Sequence, residues 1–499
     1  MLTAGGDDIA AQNRLDRPAP GARSALALLL CINLFNYVDR QVLSAVEPQI
    51  EQTFHRSEAA MGSLATVFLI SYMLISPLFG RLADRTSRWL LVAVGVILWS
   101  LASGASGLAA TFGALLLTRC FVGVGEAAYG PVAPTILSDF YPVAIRGRIL
   151  AWFYLAIPVG SALGYALGGQ IGGRFGWRAA FYAVVIPGIA LGIWSLFMKD
   201  PQAKRTKWGG AITPRKPVEP RTERTRGASG KRSLSRTPLT ARVRSVRGSF
   251  IAMVRHCATP LRSAPPHGPA IPPAGPTIEL EYSAPKRRNL WQDYRAILAT
   301  RSYLFDTIGM TAMTFAIGGI GFWMPKYIAV YRGYSKLGSV NTIFGIITVV
   351  AGLLATLLGG MAGDALRPKF PGSYFLVSAA GLLCGFPMFV LVLYTPFPLA
   401  WLFIFLAVFC LFFNTGPSNT ILANVTPPSI RATAFALNIF IIHALGDAIS
   451  PWVIGEFSDH YSMNTAFLFV SLMMVVGGLF WLYGARYLEQ DTADASGGS

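Results

Sequence analysis

The chain has 499 residues, of which 53% are hydrophobic and only 13% charged, about half the charged share of a soluble domain. Apolar runs of roughly 20 residues recur along it, the length that crosses a bilayer core as a helix, which excludes a soluble globular protein. The formal net charge of +18 would suit a nucleic-acid binder, but 20 Lys and Arg against 5 acids fall in one segment, Lys199 to Arg288, so no nucleic-acid partner is expected.

Residues 1–24 are polar and read as an N-terminal tail without a cleavable signal peptide. Hydropathy then predicts twelve spans, at 25–46, 59–80, 89–109, 112–137, 148–171, 178–198, 303–328, 338–362, 373–394, 398–423, 432–454 and 464–487. Lipid offers no partner to a bare backbone, so each span is a helix and the fold class is an all-α membrane protein. Residues 25–198 form one six-helix bundle and 301–488 a second, with a tail at 489–499. Between them, 199–300 is rich in Arg, Ser, Thr, Pro and Gly and cannot bury enough apolar surface to fold alone. Its last part, Asn289 to Leu298, puts Leu290, Trp291, Tyr294, Ile297 and Leu298 on one broad helical face, the pattern of an interfacial helix.

The Lys and Arg bias of the short loops places both termini in the cytoplasm, and the expected location is the plasma (inner) membrane. Arg81, Arg85, Arg88, Arg146, Arg367, Lys369 and Arg431 fall inside, against Arg56, Arg174, Arg178, Lys326, Arg332 and Lys336 outside. The five cysteines read as buried small hydrophobes rather than disulfides.

A repeat relates the halves. Thr135-Ile136-Leu137, Pro142, Ile145 and Arg146 recur as Thr420-Ile421-Leu422, Pro427, Ile430 and Arg431, always 285 residues on. A weaker echo links Gly80–Asp84 with Gly360–Asp364. Two equivalent halves imply a pseudo-twofold with the substrate path between them.

In the turn after span two, GRLADRTSR supplies Gly80 for close helix approach and Asp84 to hold Arg85, Arg88 or a helix N-terminus. With Arg146, Asp364 and Arg431 these residues are the expected cytoplasmic gate. The turn resembles the signature of the major facilitator superfamily, with Ser87 where a second Gly is usual. LLLTRCFVGVGEAA in span four resembles that superfamily's span-four motif through Arg119, Gly123 and Gly125. Span five carries Gly160, Gly164 and Gly168, a small-residue face for tight packing.

A narrower resemblance runs through NYVDR at 36–40, GVGEAAYGPVAPTILSDFYP at 123–142, TAMTFAIGGIGFWMPKY at 311–327, and the stretch from Gly416 to Pro451. These are similar to the spinster branch of the superfamily. The resemblance implies a transporter that works by alternating access, usually as a single chain, proton-linked or facilitative, with lipid-like amphiphiles such as lysophospholipids or sphingoid phosphates as substrates.

Charges within spans mark the candidate site, because a charge at mid-bilayer costs at least about 2.5–3.5 kcal/mol and normally faces a cavity or a partner. Asp39 and Arg40 point about 100° apart on a helix, and Asn33, Asn36, Tyr37 and Arg40 form a polar stripe. In span four Arg119 and Glu126 are seven residues apart and share a face. Spans one and four line the cavity in the superfamily's arrangement, so Asp39, Arg40, Arg119 and Glu126 are expected to cluster as a charge switch. In that switch Arg40 alternates between its acids and an anionic substrate, and protonation of Asp39 or Glu126 gates exchange. The alternative is a static ion-pair lock between two helices. Asn36, Tyr37, Tyr129, Thr311, Thr314, Phe315, Trp323 and Asn414 are the expected cavity residues, with Phe322 as further apolar wall. His443 and Asp447 lie one turn apart in span eleven and read as a structural pair away from the path. The position 285 residues after Glu126 is Leu411, so the second half lacks the acid.

An intramembrane enzyme would need a motif the chain lacks: no HExxH, no GxSxG, no Cys/His metal spacing and no phosphate-binding loop occurs. No cofactor, metal or catalytic residue is therefore expected. The remaining alternatives are a proton-linked carrier of a polar organic acid, sugar acid or drug, and a non-transporting receptor or scaffold.

Overall fold

The computed structural model describes residues 18–83, 85–200, 290–334, 336–427 and 430–497. Residues Met1–Gly210 and Arg288–Ser499 make one compact unit that contains both six-helix halves; the other, Ala211–Arg287, lies outside the described residues, as do most of the predicted linker and Asp84.

The first half runs α1 (Ala22–Phe54), α2 (Glu58–Ala83), α3 (Arg88–Leu108), α4 (Phe112–Ala127), α5 (Ala133–Phe140), α6 (Val143–Phe175) and α7 (Trp177–Leu196). After α8 (Leu290–Ala299), the second half runs α9 (Arg301–Lys326), a π-turn (Tyr327–Tyr331), α10 (Leu337–Leu366), α11 (Ser373–Tyr394), α12 (Ala400–Phe412), α13 (Thr415–Asn424), α14 (Arg431–Ile442), a second π-turn (His443–Asp447), α15 (Ser450–His460) and α16 (Met463–Gly484). The chain ends in α17 (Leu488–Gly497). No strand occurs among the described residues.

All twelve predicted spans are helical, and ten helices among the described residues are long and apolar enough to cross a bilayer. Side-chain oxygens at two helix starts accept otherwise orphaned backbone N–H groups: Thr111 from Ala114, at 3.2 Å, and Ser462 from Thr465, at 3.1 Å. Spans four, ten and eleven are broken in mid-course, between α4 and α5, between α12 and α13, and at the second π-turn, where Gly446 leaves helical geometry at φ −102° and ψ −105°. Broken helices are tolerated in a membrane protein where protein or a cavity satisfies the freed backbone.

Within the first half α1 packs on α6, α2 on α4, and α3 on α7; within the second α9 and α11 both pack on α16. The predicted small-residue face on span five is the α1 contact. A methyl group at Gly164 would stand 2.6 Å from the Val38 carbonyl oxygen and 2.7 Å from Gln41 Cβ, so no larger residue permits this approach.

Twelve crossings return the chain to its starting side, so both termini share one face. The halves meet on the opposite face, through α6 with α10, α2 with α15, and α1 with α9. There Asn341 Nδ2 donates to the Ala45 carbonyl at 3.0 Å, and Asp459 caps α2 by accepting from the Glu58 and Ala59 amides, each at 2.8 Å.

Two departures from the sequence reading lie at the edges. The expected tail at 489–499 is largely helix, because Leu488 and Ala495 bury one face and Asp491 accepts from the Ser302 amide at 2.7 Å. In α8, Ile297 is buried while Trp291 and Leu298 are exposed, so only part of its apolar face meets protein.

Candidate functional site

Span one carries the core of the site because α1 packs beside α6 and brings Tyr37, Arg40, Gln41, Leu43 and Ser44 to a cavity of about 330 Å³ between the halves. Arg40 donates from Nε to Glu126 Oε2 at 2.8 Å and pairs through Nη2 with the same oxygen at 2.6 Å. Its guanidinium lies 5.1, 5.0 and 5.4 Å from the ring centres of Tyr37, Phe68 and Tyr72, an aromatic cage that holds the cation without neutralising it. Glu126 is buried, and its second oxygen, Oε1, has no hydrogen-bond partner.

Asp39 turns away from Arg40, as the 100° step requires. Both its oxygens accept from the Ser103 hydroxyl, at 2.5 and 2.6 Å, in a buried contact between spans one and three. Arg119 is equally buried, lies 5.3 Å from the Phe68 ring centre and contributes to the cavity wall. Its Nε and Nη1 have no hydrogen-bond partner. The structure thus brings the four predicted charges together, and it is Arg119 rather than Arg40 that has donors to spare.

The predicted cavity residues divide. Tyr37 lines the cavity. Asn36 is buried with Nδ2 unpartnered and does not line it, and Tyr129 instead donates to the Leu29 carbonyl inside the first half. Thr311 donates to the Thr307 carbonyl of its own helix, Thr314 and Phe315 pack at Gly446, Trp323 Nε1 donates to the Pro451 carbonyl, and Asn414 Nδ2 donates to the Leu411 carbonyl. None of these five lines the cavity. The second half instead contributes an apolar wall of Ile317, Ile320, Phe322, Phe344, Leu411 and Phe412. It also contributes His443 and Asp447, joined at 2.9 Å, which the sequence reading placed away from the path; the π-turn at Gly446 turns both into the wall.

On the termini face each described gate residue stays within its own half. Arg88 is held by Asp200, through Nε and Nη2 at 2.9 and 2.6 Å, and by Asp139 at 2.6 Å. Asp364 accepts from the Tyr374 hydroxyl at 2.7 Å, and Arg431 donates to the Thr426 carbonyl at 3.2 and 3.3 Å. Gly80 and Arg85 border an open groove, and a methyl group at Gly80 would meet nothing within 4 Å, so Gly80 makes no close helix approach here. Asp84 and the Arg146 side chain lie outside the described residues. The halves are therefore joined on the far face and separate between the gate residues described on the termini face, an arrangement open toward the termini.

Sequence reasoning missed a third charged group. Lys326, at the end of α9, is buried and pairs with Glu51 at 2.7 Å, Glu58 at 3.1 Å and Glu47 at 3.3 Å. Hydropathy ended span one at Val46, one residue short of Glu47, whereas α1 continues to Phe54. The available signal was Glu47 and Glu51 at helical spacing beyond an apolar run, with Lys326 directly after Pro325.

Two six-helix halves around a charged central cavity, closed on one face and open on the other, define a secondary transporter rather than an enzyme. The Major Facilitator Superfamily model matches residues 29–451, and the chain belongs to that superfamily, in its spinster-like branch. It is 31% identical to human spinster homolog 1 over 508 residues, covering 96% of this chain and 83% of that protein. It is 30% identical to spinster homolog 3 of Danio rerio, covering 94% and 85%, and 30% identical to the sphingosine-1-phosphate transporter SPNS2 of Danio rerio, covering 96% and 89%. Among solved structures, a bacterial homolog of the human lysosomal transporter Spinster, inward-facing and unoccupied, superimposes with a TM-score of 0.71 at 19% identity, covering 95% of this chain and 98% of that one. A D-xylose–proton symporter superimposes with a TM-score of 0.62 at 16% identity, covering 91% and 96%.

Proposed function

We propose that the protein is a proton-linked carrier that moves an anionic, lipid-like amphiphile of the lysophospholipid or sphingoid-phosphate type by alternating access. It works as a single chain in the plasma (inner) membrane with both termini in the cytoplasm. The observation that carries this reading is Arg119, a buried cation in the cavity wall with two unpartnered N–H groups. A guanidinium so placed offers charge-assisted donors to a phosphate or carboxylate. The apolar wall opposite, from Ile317 to Phe412, suits an acyl or sphingoid chain. The name of the Danio rerio relative, a sphingosine-1-phosphate transporter, supports the same class. Protons enter because Glu126 and Asp39 are buried acids whose charge is balanced only by Arg40 and Arg119; adding a proton or an anion shifts that balance.

The test is flux of a labelled lysophospholipid in liposomes with and without an imposed pH gradient, with Glu126→Gln alongside. Gradient-driven flux that Glu126→Gln abolishes is the expected result. Flux that ignores the gradient and survives the substitution makes the charges a structural lock, and no flux in well-folded, sided liposomes removes this lipid class.

A further inference from the structure

The far-face cluster is distinct from the central site and lies where the halves meet. Lys326 belongs to the second half; Glu47 and Glu51 on α1, and Glu58 on α2, belong to the first. An ammonium has three hydrogens, and here three different carboxylates stand within 3.3 Å of it. Ionised throughout, the group would carry three negative charges against one positive, with Glu47 and Lys326 almost wholly removed from water and Glu58 nearly so. Glu47 Oε2 is buried with no hydrogen-bond partner at all.

The neighbouring groups do not supply the missing positive charge. The Arg332 guanidinium is taken by the carbonyls of Val392, Leu393 and Thr395. Arg56 lies over the Phe112 ring, and His55 and Lys336 are exposed. On α15, Asp459 is bonded to the α2 amides and His460 to Glu456. On the first π-turn the Tyr331 hydroxyl donates to Glu58 Oε1, and Tyr327 donates to the Leu393 carbonyl at 3.5 Å; both are neutral.

We propose that this cluster is a proton-binding latch: the face opposite the termini closes around Lys326 as the Glu47–Glu51–Glu58 group takes up one to two protons. Opening that face carries Lys326 on α9 away from the three acids and admits water, so each acid is solvated and releases its proton. Closure then binds protons, and the closed-to-open ratio falls about tenfold per pH unit for each proton taken up. This latch needs no substrate and stands apart from the central charge switch.

The test uses the full chain in lipid nanodiscs, on a cysteine-free background carrying Asp39→Asn and Glu126→Gln so that the central acids do not titrate. Spin labels at positions 52 and 339, both exposed and one in each half, report the far-face distance by double electron–electron resonance across pH 4–9. The expected result is a short distance at low pH that gives way to a longer one as pH rises. Glu47→Gln should keep the face closed to higher pH and lose about tenfold per pH unit from the slope. Lys326→Met should require lower pH for closure. If Glu47→Gln does not fold, Glu58→Gln carries the same expectation. A distance distribution independent of pH, or a Gln variant with the parent's slope and midpoint, overturns the latch.

Discussion

Replacing Arg119 tests whether a buried cation recognises the substrate anion. Arg119 is 1% exposed, and its Nε and Nη1 bond to nothing, so these donors are already dehydrated before any substrate arrives. A hydrogen bond to a charged group is worth about 1.5–3 kcal/mol, and little of it is offset here by stripping water from the protein side. Losing both donors should therefore cost about 3–5 kcal/mol of binding, or some hundredfold to several thousandfold in Kd. Arg119→Gln also leaves Asp39 and Glu126 facing Arg40 alone. The assay compares a lysophosphatidic acid with the monoacylglycerol of the same chain length, binding each to purified wild type and variant. Affinity for the anion should collapse while affinity for the neutral lipid changes by less than about fivefold, the margin of a 1 kcal/mol rearrangement. Arg119→Lys should recover part of the loss, because it keeps the charge but not the placement of the guanidinium donors. If Arg119→Gln weakens both lipids equally, or neither, the guanidinium is structural and the argument fails.

Ser103→Ala removes the hydroxyl that serves both Asp39 oxygens, and should lower stability by about 1.5–3 kcal/mol when Asp39 is ionised, read as a fall in melting temperature in detergent that is larger at neutral than at acid pH. Arg88→Met removes the ion pairs to Asp139 and Asp200 and should destabilise the first half by about 1–3 kcal/mol, checked by the same melting measurement; an unchanged midpoint would show that these pairs add nothing to stability. Gly164→Leu should force α6 off α1 and abolish flux along with monodispersity, whereas Gly173→Leu, with open space at its Cβ, should leave both intact. Leu411→Gln should weaken long-chain amphiphiles more than short ones, by a difference that grows with chain length; a loss independent of length would take Leu411 out of the acyl wall.

The spans were legible because each must be apolar for about 20 residues, a requirement no tertiary contact relaxes. The four central charges were legible for the same reason, since a charge in such a run demands a partner. The partners themselves were not. Ser103 looks like any small polar residue in span three until Asp39 is seen 64 positions away in sequence and in contact. The cavity wall was misplaced because Thr311 and Asn414 satisfy their own helices, a choice that composition does not encode. His443 and Asp447 reach the cavity only through the break at Gly446, a local backbone geometry without a hydropathy signal. Lys326 and its acids were hidden by treating the end of the apolar run as the end of the helix.

The Arg40–Glu126 pair, the Asp39–Ser103 contact and Arg119 all lie within the first half, so a change of charge there cannot by itself open or close a contact between halves. Among the described residues the ion pairs between the halves sit at the far face. Span one is the element common to both: a single 33-residue helix carries Asp39 and Arg40 and, 7 to 12 positions on, Glu47 and Glu51. At 1.5 Å per residue that is roughly 10–18 Å of continuous helix. Its flank is fixed to α6 through Gly160, Gly164 and Gly168, and α6 in turn meets the second half, where Tyr165 donates to the Gly321 carbonyl at 2.8 Å. A tilt of α1 that follows loss of the Arg40–Glu126 bond would therefore move the carboxylates that hold Lys326, and α6 would move with it. The helix is the contiguous physical link that coupling between the two charged groups requires.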